Sequence, residues 1–535
     1  MDKLSRLQDK YFDLIVVGGG IVGSGIARDA ALRGLSVALF EKGDYCCGTT
    51  ARSTRLIHGG LRYLETLNFG LVRLDLKERE ILLRIAKHLV RPLPFLVPFY
   101  RTSPAYRCKV RLGMMLYDLL SFDKSLPFHR RLTRSEIMIS EPRLEPQGLQ
   151  GGFLYYDAQV PSPERLVIEN LIDAQEHGAA AYNYSEVIGA LHDGNSILGV
   201  RVRDLTAMTE TEVRSRVVVN AGGPWFDQLS GRLLRNRKAR VRMTKGIHLI
   251  CPSLSRQALV FLSNLDKRLF FIVPWMGQSL VGTTDTDFAG DPGSVQAEED
   301  EVRYLLDSLR PFIPSIWQRQ LFYCYAGVRA LVPDRGTPSS ISRMHRIVDE
   351  AENGVSGLIS VIGGKITGYR AIAKEAVDII CAKLGVRHEC RTAAILLPGS
   401  RGHEISNPLS IKFLDEKTVR HLYSIYGSRA SEIVDLAQSE SRLRVPLAPG
   451  YHLDIAAQVV YGIRKEQCFR AGDFLLRRTL LGFSPDQGRR ALPGVIACMG
   501  DELNWSATKR AEELDAYMQW IHRTNQDSST APGGP

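Results

Sequence analysis

No run of apolar residues in this 535-residue chain approaches the eighteen or more that a membrane-spanning helix needs. The N-terminus carries no secretory signal, because its first apolar run, Leu14-Ile15-Val16-Val17, is too short for one and reads as a strand. Nine cysteines form no C-x-x-C pair and keep no regular spacing. That excludes iron–sulfur and zinc clamps and leads us to expect a reducing, intracellular setting with no bound metal. Cys46 and Cys47 are adjacent, which suits neither a disulfide nor a metal clamp, so we read them as packing residues. There is no internal repeat. Helix-turn-helix, zinc-finger and RNA-binding signatures are all missing, so nucleic acid is not an expected partner. Yet the formal charge of +11 and the isoelectric point of about 9.2 ask for an acidic one, either a phosphate-bearing substrate or an anionic lipid surface.

What the chain does have begins at Leu14. A short apolar run meets the turn Gly18-Gly19-Gly20-Ile21-Val22-Gly23; a helical stretch follows to Arg33; Gly34 ends it; a second apolar run, Leu35 to Phe40, stops at Glu41. Strand, glycine turn, helix, strand and acid in one unit form a dinucleotide fingerprint. Gly18 permits the turn, Gly20 lets backbone approach a pyrophosphate, and Gly23 lets helix and strand pack. The helix N-terminus offers N–H groups to phosphate, and Glu41 is placed to accept from a ribose diol. With 44% hydrophobic residues the chain has core enough for two or three domains.

Further along, residues 71–90 read as an amphipathic helix and Pro163–His177 as another. Gly194-Asn195 marks a hairpin, and Arg216–Asn220 is a buried strand entering the turn Ala221-Gly222-Gly223. Residues 241–345 are strand-rich and look like an inserted antiparallel sheet. Leu358–Ile362 is a buried strand that passes through Gly363-Gly364-Lys365 into a helix from about Thr367, and residues 405–522 are mostly helical. Reactive side chains gather on four glycine turns: Leu56-Ile-His58-Gly-Gly-Leu-Arg62-Tyr63, Lys245-Gly-Ile-His248, Gly327-Val-Arg329, and Gly363-Gly364-Lys365-Ile-Thr367. Cations, histidines and tyrosines without an evident carboxylate pair suit oxidation of an anionic substrate better than hydrolysis.

The segments LIHGGLRYLE, NAGGPW, FIVPW, GTTD, GVRAL and GGKITGYR, in that order, resemble the FAD-dependent glycerol-3-phosphate dehydrogenases, and Asp473–Pro485 resembles that family's helical cap. The resemblance spans residues 10–520 and lies within the broader superfamily of D-amino-acid oxidase and glycine oxidase. No EF-hand loop follows the cap, which sets it apart from the mitochondrial members. One departure is Thr367-Gly368-Tyr369, where the family often has Thr-Thr-Tyr.

The resemblance implies an α/β fold: a two-βαβ FAD-binding domain (1–90, 151–240 and 346–390), an inserted antiparallel-sheet substrate and membrane-facing region (91–150 and 241–345), and a C-terminal helical cap domain (398–525). Residues 526–535 are expected to be a disordered tail. It also implies non-covalent FAD held by Gly18, Gly20, Gly23 and Glu41, with Thr49, Thr50, Ser53, Gly222, Gly363, Gly364 and Lys365 along the diphosphate and flavin. The helix N-terminus after Gly363-Gly364 is expected to face the flavin. sn-Glycerol 3-phosphate would place C2–H against flavin N5, its phosphate on Arg62 and Arg329, with Tyr63 and Thr367 beside it and Lys365 at the C2 oxygen. His248 is the first choice for the base, because histidine titrates near neutral pH, and His58 is the second. Dihydroxyacetone phosphate would leave.

No second nucleotide fingerprint offers NAD as acceptor, so a membrane quinone is the natural one. Residues 91–134 mix Phe95, Phe99, Leu112, Met114, Met115, Tyr117, Leu119 and Phe122 with Arg101, Arg107, Lys109, Arg111, Lys124, Arg130, Arg131 and Arg134. We read this as a monotopic surface on the cytoplasmic side of the cell membrane. Two alternatives stay open: a soluble oxidase that uses oxygen and makes hydrogen peroxide, and a flavin-binding module without turnover. Homo-oligomerisation is also left open.

Overall fold

The computed structural model describes residues 4–65, 67–234, 239–318, 321–333, 344–402 and 411–525. The tail expected at 526–535 lies outside them.

The chain opens with β1 (Tyr11–Val17), α1 (Ile21–Leu32) and β2 (Val37–Phe40). β1 pairs in parallel with β2 on one side and with Glu210–Asn220 on the other. That third strand pairs in parallel with Leu358–Ile362, and β2 with Ala180–Tyr182. All four residues of β2 and the last residues of β1 are buried, as expected for strands covered on both faces. α1 is buried almost all round, because it is sandwiched between the sheet and the helices Pro163–Glu176 and Tyr369–Leu384. It ends in a Schellman motif: Gly34 takes a φ of +81°, its N–H donates to Ala31, and the Leu35 N–H donates to Ala30. The hairpin at Gly194-Asn195 joins Ser185–Asp193 to Ser196–Asp204 and hangs from Glu210–Asn220.

A second, ten-stranded sheet is built from two distant parts of the chain. Arg242–Pro252 lies between Gln278–Gly282 and Tyr323–Leu331, both antiparallel to it. Ala258–Leu262 then pairs in parallel with Arg91–Tyr100, which pairs with Leu149–Gln159. The sheet therefore continues past residue 150, beyond the boundary expected there. The C-terminal part is helical, with Glu416–Tyr426, Ala430–Ser439, Ala456–Glu466, Leu492–Glu502 and Ala507–Asn525 packed in a core that is continuous with the second sheet. Buried charges tie it to the first sheet. Arg477 and Arg478 both reach the Asp44 carboxylate, at 2.5 and 2.8 Å, and Arg165 reaches Glu466 at 2.7 Å. Together the two arginines hold the Asp44 carboxyl below its ordinary value, although burial pushes the other way.

Between the sheets runs α2 (Phe69–Ile85), and outside it α3 (Pro104–Leu120), which starts at Ser103 with its hydroxyl accepting from the Tyr106 N–H. The apolar segment expected to face a membrane divides here. Phe95, Phe99, Met114 and Tyr117 are core. Leu112, Met115, Leu119 and Phe122, one helical stripe, are 53 to 70% exposed. Lys124 is withdrawn from the surface onto Asp118, whereas Arg107 and Arg111 have no carboxylate partner among the described residues. None of the described helices is long and apolar enough to cross a membrane.

Candidate active site

A cavity of about 900 Å³ lies where the two sheets meet. Its first wall is the turn after β1. Gly18 has a φ of +116°, and a β-carbon there would sit 2.5 Å from the Ala221 carbonyl oxygen, so only glycine lets the two parallel crossings touch. Gly23 packs under the turn, its missing β-carbon 1.9 Å from the Gly18 oxygen, and it does not line the cavity. Gly20 does line it. A β-carbon at Gly20 would meet only Thr50 Oγ1, at 3.7 Å, so the space above it is open to a ligand. No side chain caps α1; its first residues, Ile21 and Val22, line the cavity, and the Ile21 N–H donates to Thr50 Oγ1 at 3.3 Å. The Glu41 carboxylate accepts from Gly19 at 2.7 Å and Gly43 at 2.8 Å. Burial raises its pKa against the pull of those two N–H groups. Cys47 beside it is pushed up to about 12 by burial and by Glu41, and Cys46 is raised by burial too, so both thiols stay protonated and fill space.

The opposite wall comes from the second sheet. His248 projects from Arg242–Pro252 into room left by Gly282, where a β-carbon would lie 2.5 Å from the imidazole. Its Nε2 is 2.9 Å from Thr54 Oγ1, and its ring packs on Tyr325, which faces it across the strands. Burial, then the Arg329 and Arg55 guanidinium groups, hold its pKa at about 3. The expectation that this histidine titrates near neutral pH is therefore corrected: it is neutral throughout the physiological range, because it sits dry among cations. Arg329, on the adjacent strand Tyr323–Leu331, occupies the space left by Gly246 and donates to Thr283 Oγ1 at 2.8 Å and to the Asp285 carboxylate at 3.1 Å.

The third wall is the loop after Leu358–Ile362. Gly363 and Gly364 take φ values of +74° and +111°. The lining ends at Thr367 and the helix starts at Tyr369, so the loop, and not the helix N-terminus, borders the cavity. Lys365 Nζ lies 3.9 Å over the Tyr63 ring and 2.6 Å from Asp75 Oδ2. Thr367 Oγ1 accepts from the His58 N–H at 3.1 Å, which ties the His58-Gly59-Gly60 turn to this loop. Gly59 donates to Tyr117, whose hydroxyl donates to Asp157 at 2.7 Å. Thr49, Thr50, Ser53, His58, Tyr63 and Gly222 also line the cavity. The Arg62 side chain lies outside the described part of the structure.

Residues 13–373 match the profile of the FAD dependent oxidoreductase family, and residues 390–510 match the C-terminal domain of alpha-glycerophosphate oxidase. The chain is 37% identical to the glycerol-3-phosphate dehydrogenase of Synechocystis sp. over 98% of both proteins. It is 34% identical to the aerobic glycerol-3-phosphate dehydrogenase of Staphylococcus saprophyticus over 99% of this chain and 97% of that one. The crystal structure of the Bacillus halodurans glycerol-3-phosphate dehydrogenase complexed with FAD superposes with a TM-score of 0.79 at 27% identity, covering 98% of this chain and 97% of that one.

The chain belongs to the FAD-dependent glycerol-3-phosphate dehydrogenase family.

FAD is accordingly the cofactor of this dehydrogenase-family chain, and the residues present fit it. The space over Gly20, the uncapped N-terminus of α1 and the buried Glu41 carboxylate form one continuous wall, and the cavity lies at the upper end of the 300–1,000 Å³ typical of cofactor and ligand sites. Sequence reasoning missed several site residues. Thr54 and Arg55 lay one and two positions beyond the expected Ser53, and Thr283 and Asp285 belong to the quoted GTTD segment. Asp75, Glu78 and Arg79 were hidden in a helix read only for its apolar stripe, although polar groups at i, i+3 and i+4 are themselves a signal of a buried polar face.

Proposed function

We propose that the chain oxidises sn-glycerol 3-phosphate to dihydroxyacetone phosphate, with non-covalently bound FAD, and passes the electrons to a membrane quinone while docked on the cytoplasmic face of the cell membrane. The observation that carries the substrate assignment is a cavity whose walls hold the cations Arg329 and Lys365 together with the His248 imidazole. Bound FAD would supply the acceptor for the hydride that leaves C2. The chain's own groups do the rest. Arg329 provides a guanidinium fork for the phosphate, with Arg62 as its proposed companion and Tyr63 as a neutral donor. Lys365 draws electron density from the C2 oxygen. His248 is the proposed acceptor of the hydroxyl proton, with Thr54 at its Nε2 edge. His58 is second choice as base: its backbone is pinned to Thr367, which favours a positioning role.

The quinone and the membrane are supported by the outer face of α3. A helix whose solvent side carries Leu112, Met115 and Leu119, with Phe122 just past its end, next to Lys109 and Arg111 has the composition of an interfacial helix. Anaerobic addition of glycerol 3-phosphate to the yellow protein should bleach the flavin, and acid should release free FAD. Anionic vesicles should pellet the protein, and Arg107, Lys109 and Arg111 changed together to Gln should weaken pelleting while sparing bleaching. No bleaching sinks the substrate reading. Bleaching with rapid reoxidation by oxygen and no vesicle binding makes the chain a soluble oxidase.

A further inference from the structure

Beneath Lys365, on the side away from the cavity, three acids of α2 and its neighbour strand each face one cation: Asp75 faces Lys365, Glu78 faces Arg370, and Asp157 faces Arg79. Glu78 and Asp157 belong to wholly buried pairs that hold the helix to its surroundings. Asp75 differs because its partner lines the cavity. Its side chain is 2% exposed and does not itself reach the cavity lining. Gly368 lies beside it. That glycine has a φ of −91°, which any residue adopts, so the backbone does not require glycine there. A β-carbon there would stand 3.4 Å from Asp75 Oδ1, an ordinary contact, so only a larger, branched side chain would crowd the carboxylate.

We propose that Asp75 is the positioning residue for Lys365: its carboxylate fixes the ammonium between the Tyr63 ring and the substrate's C2 oxygen. This rests on the substrate reading given above. Lysine has a flexible four-carbon stem and three rotatable donors, so alone it does not hold one place. Here the carboxylate at 2.6 Å takes one donor and the ring at 3.9 Å takes a face of the ammonium. The remaining donors are then directed by geometry fixed before substrate arrives, the condition for a group that acts on developing charge. Burial raises Asp75 to about 6, opposed by Lys365 and reinforced by Asp157 and Glu78. Its charge thus depends on the lysine as much as the lysine's place depends on it.

The test is a double-mutant cycle on the FAD-loaded enzyme, with Asp75→Asn, Lys365→Met and the pair together. Anaerobic flavin reduction by glycerol 3-phosphate gives kcat/KM, and calorimetry gives binding of dihydroxyacetone phosphate to the oxidised protein. Asp75→Asn should keep FAD, lower kcat/KM about 10- to 100-fold and weaken product binding, with Asp75→Glu recovering part of both. In the Lys365→Met background the same change should cost less than about threefold. Losses that multiply, or an Asp75→Asn variant within about twofold of the parent, overturn the proposal. If Asp75→Asn does not fold, Gly368→Val crowds the same carboxylate without removing its charge; it should reproduce the loss, and parent-like kinetics would overturn the proposal. A parent flavin that glycerol 3-phosphate fails to bleach counts against the substrate, and is seen before any variant is made.

Discussion

Removing the guanidinium of Arg329 should do more than delete one phosphate contact. In the structure Arg329 is held by Thr283 Oγ1 and by Asp285, a carboxylate 8% exposed at the same cavity. In Arg329→Ala a charge-assisted contact worth about 1.5–3 kcal/mol disappears. The Asp285 charge is also left facing an arriving phosphate. We expect a total of about 2–4 kcal/mol in transition-state binding, a fall of roughly thirty- to a thousand-fold in kcat/KM for glycerol 3-phosphate. Glycerol, which has no phosphate, should lose far less. Adding Asp285→Asn to Arg329→Ala removes the repulsive carboxylate and should recover part of the loss. Arg329→Lys keeps the charge but not the fork, and should fall between parent and Arg329→Ala. Steady-state rates with both substrates, for the four proteins, give the comparison. An equal loss on glycerol, or no recovery in the double variant, would show that Arg329 holds the sheet together and does not read phosphate.

His248→Gln should slow anaerobic flavin reduction with FAD still bound, and in the parent no step in rate assignable to this histidine should appear above pH 5, since it is already neutral there; a parent-like reduction rate in the variant would move the base elsewhere. A second depressed histidine predicts acid sensitivity of the fold. His88 bonds to Ser400 at 2.8 Å and is held at about 3 by burial and by Arg165 and Arg91. The unfolded chain takes this proton near pH 6.5 and the folded one near 3. The stability it contributes is therefore complete above about pH 6.5 and is lost on acidification between the two values, at about 1.4 kcal/mol per pH unit. Urea unfolding at stepped pH should show a shallower acid decline for His88→Gln, and identical slopes would refute it.

The dinucleotide unit was legible because most of it is local: Gly23 and Gly34 act on backbone within a few residues, and the apolar runs around them are periodic. The cavity's polar residues were legible only as separate turns. That Lys365 meets Asp75, 290 positions away, or that Arg478 meets Asp44, 434 away, depends on how the sheets and helices stack, which no spacing encodes. The same holds for His248. Its residue type points to a group titrating near neutrality, and only its dry, cation-lined setting decides otherwise. Some of the aromatic residues between 91 and 134 proved to be core: alternation along Arg91–Tyr100 places Phe95 and Phe99 inward, and α3 buries Tyr117 while turning its other apolar stripe out.

The clasp of Arg477 and Arg478 on Asp44 joins the last domain to the turn that begins at Glu41. Coupling of this kind is reciprocal. If the clasp steadies the cofactor turn, bound cofactor must steady the clasp by the same free energy, so the far end of the polypeptide registers whether the coenzyme has been taken up. A chain short of coenzyme would then show its deficit first as loosened C-terminal helices, open to proteases at a distance from the empty site. Loss of those helices would in turn let the coenzyme go.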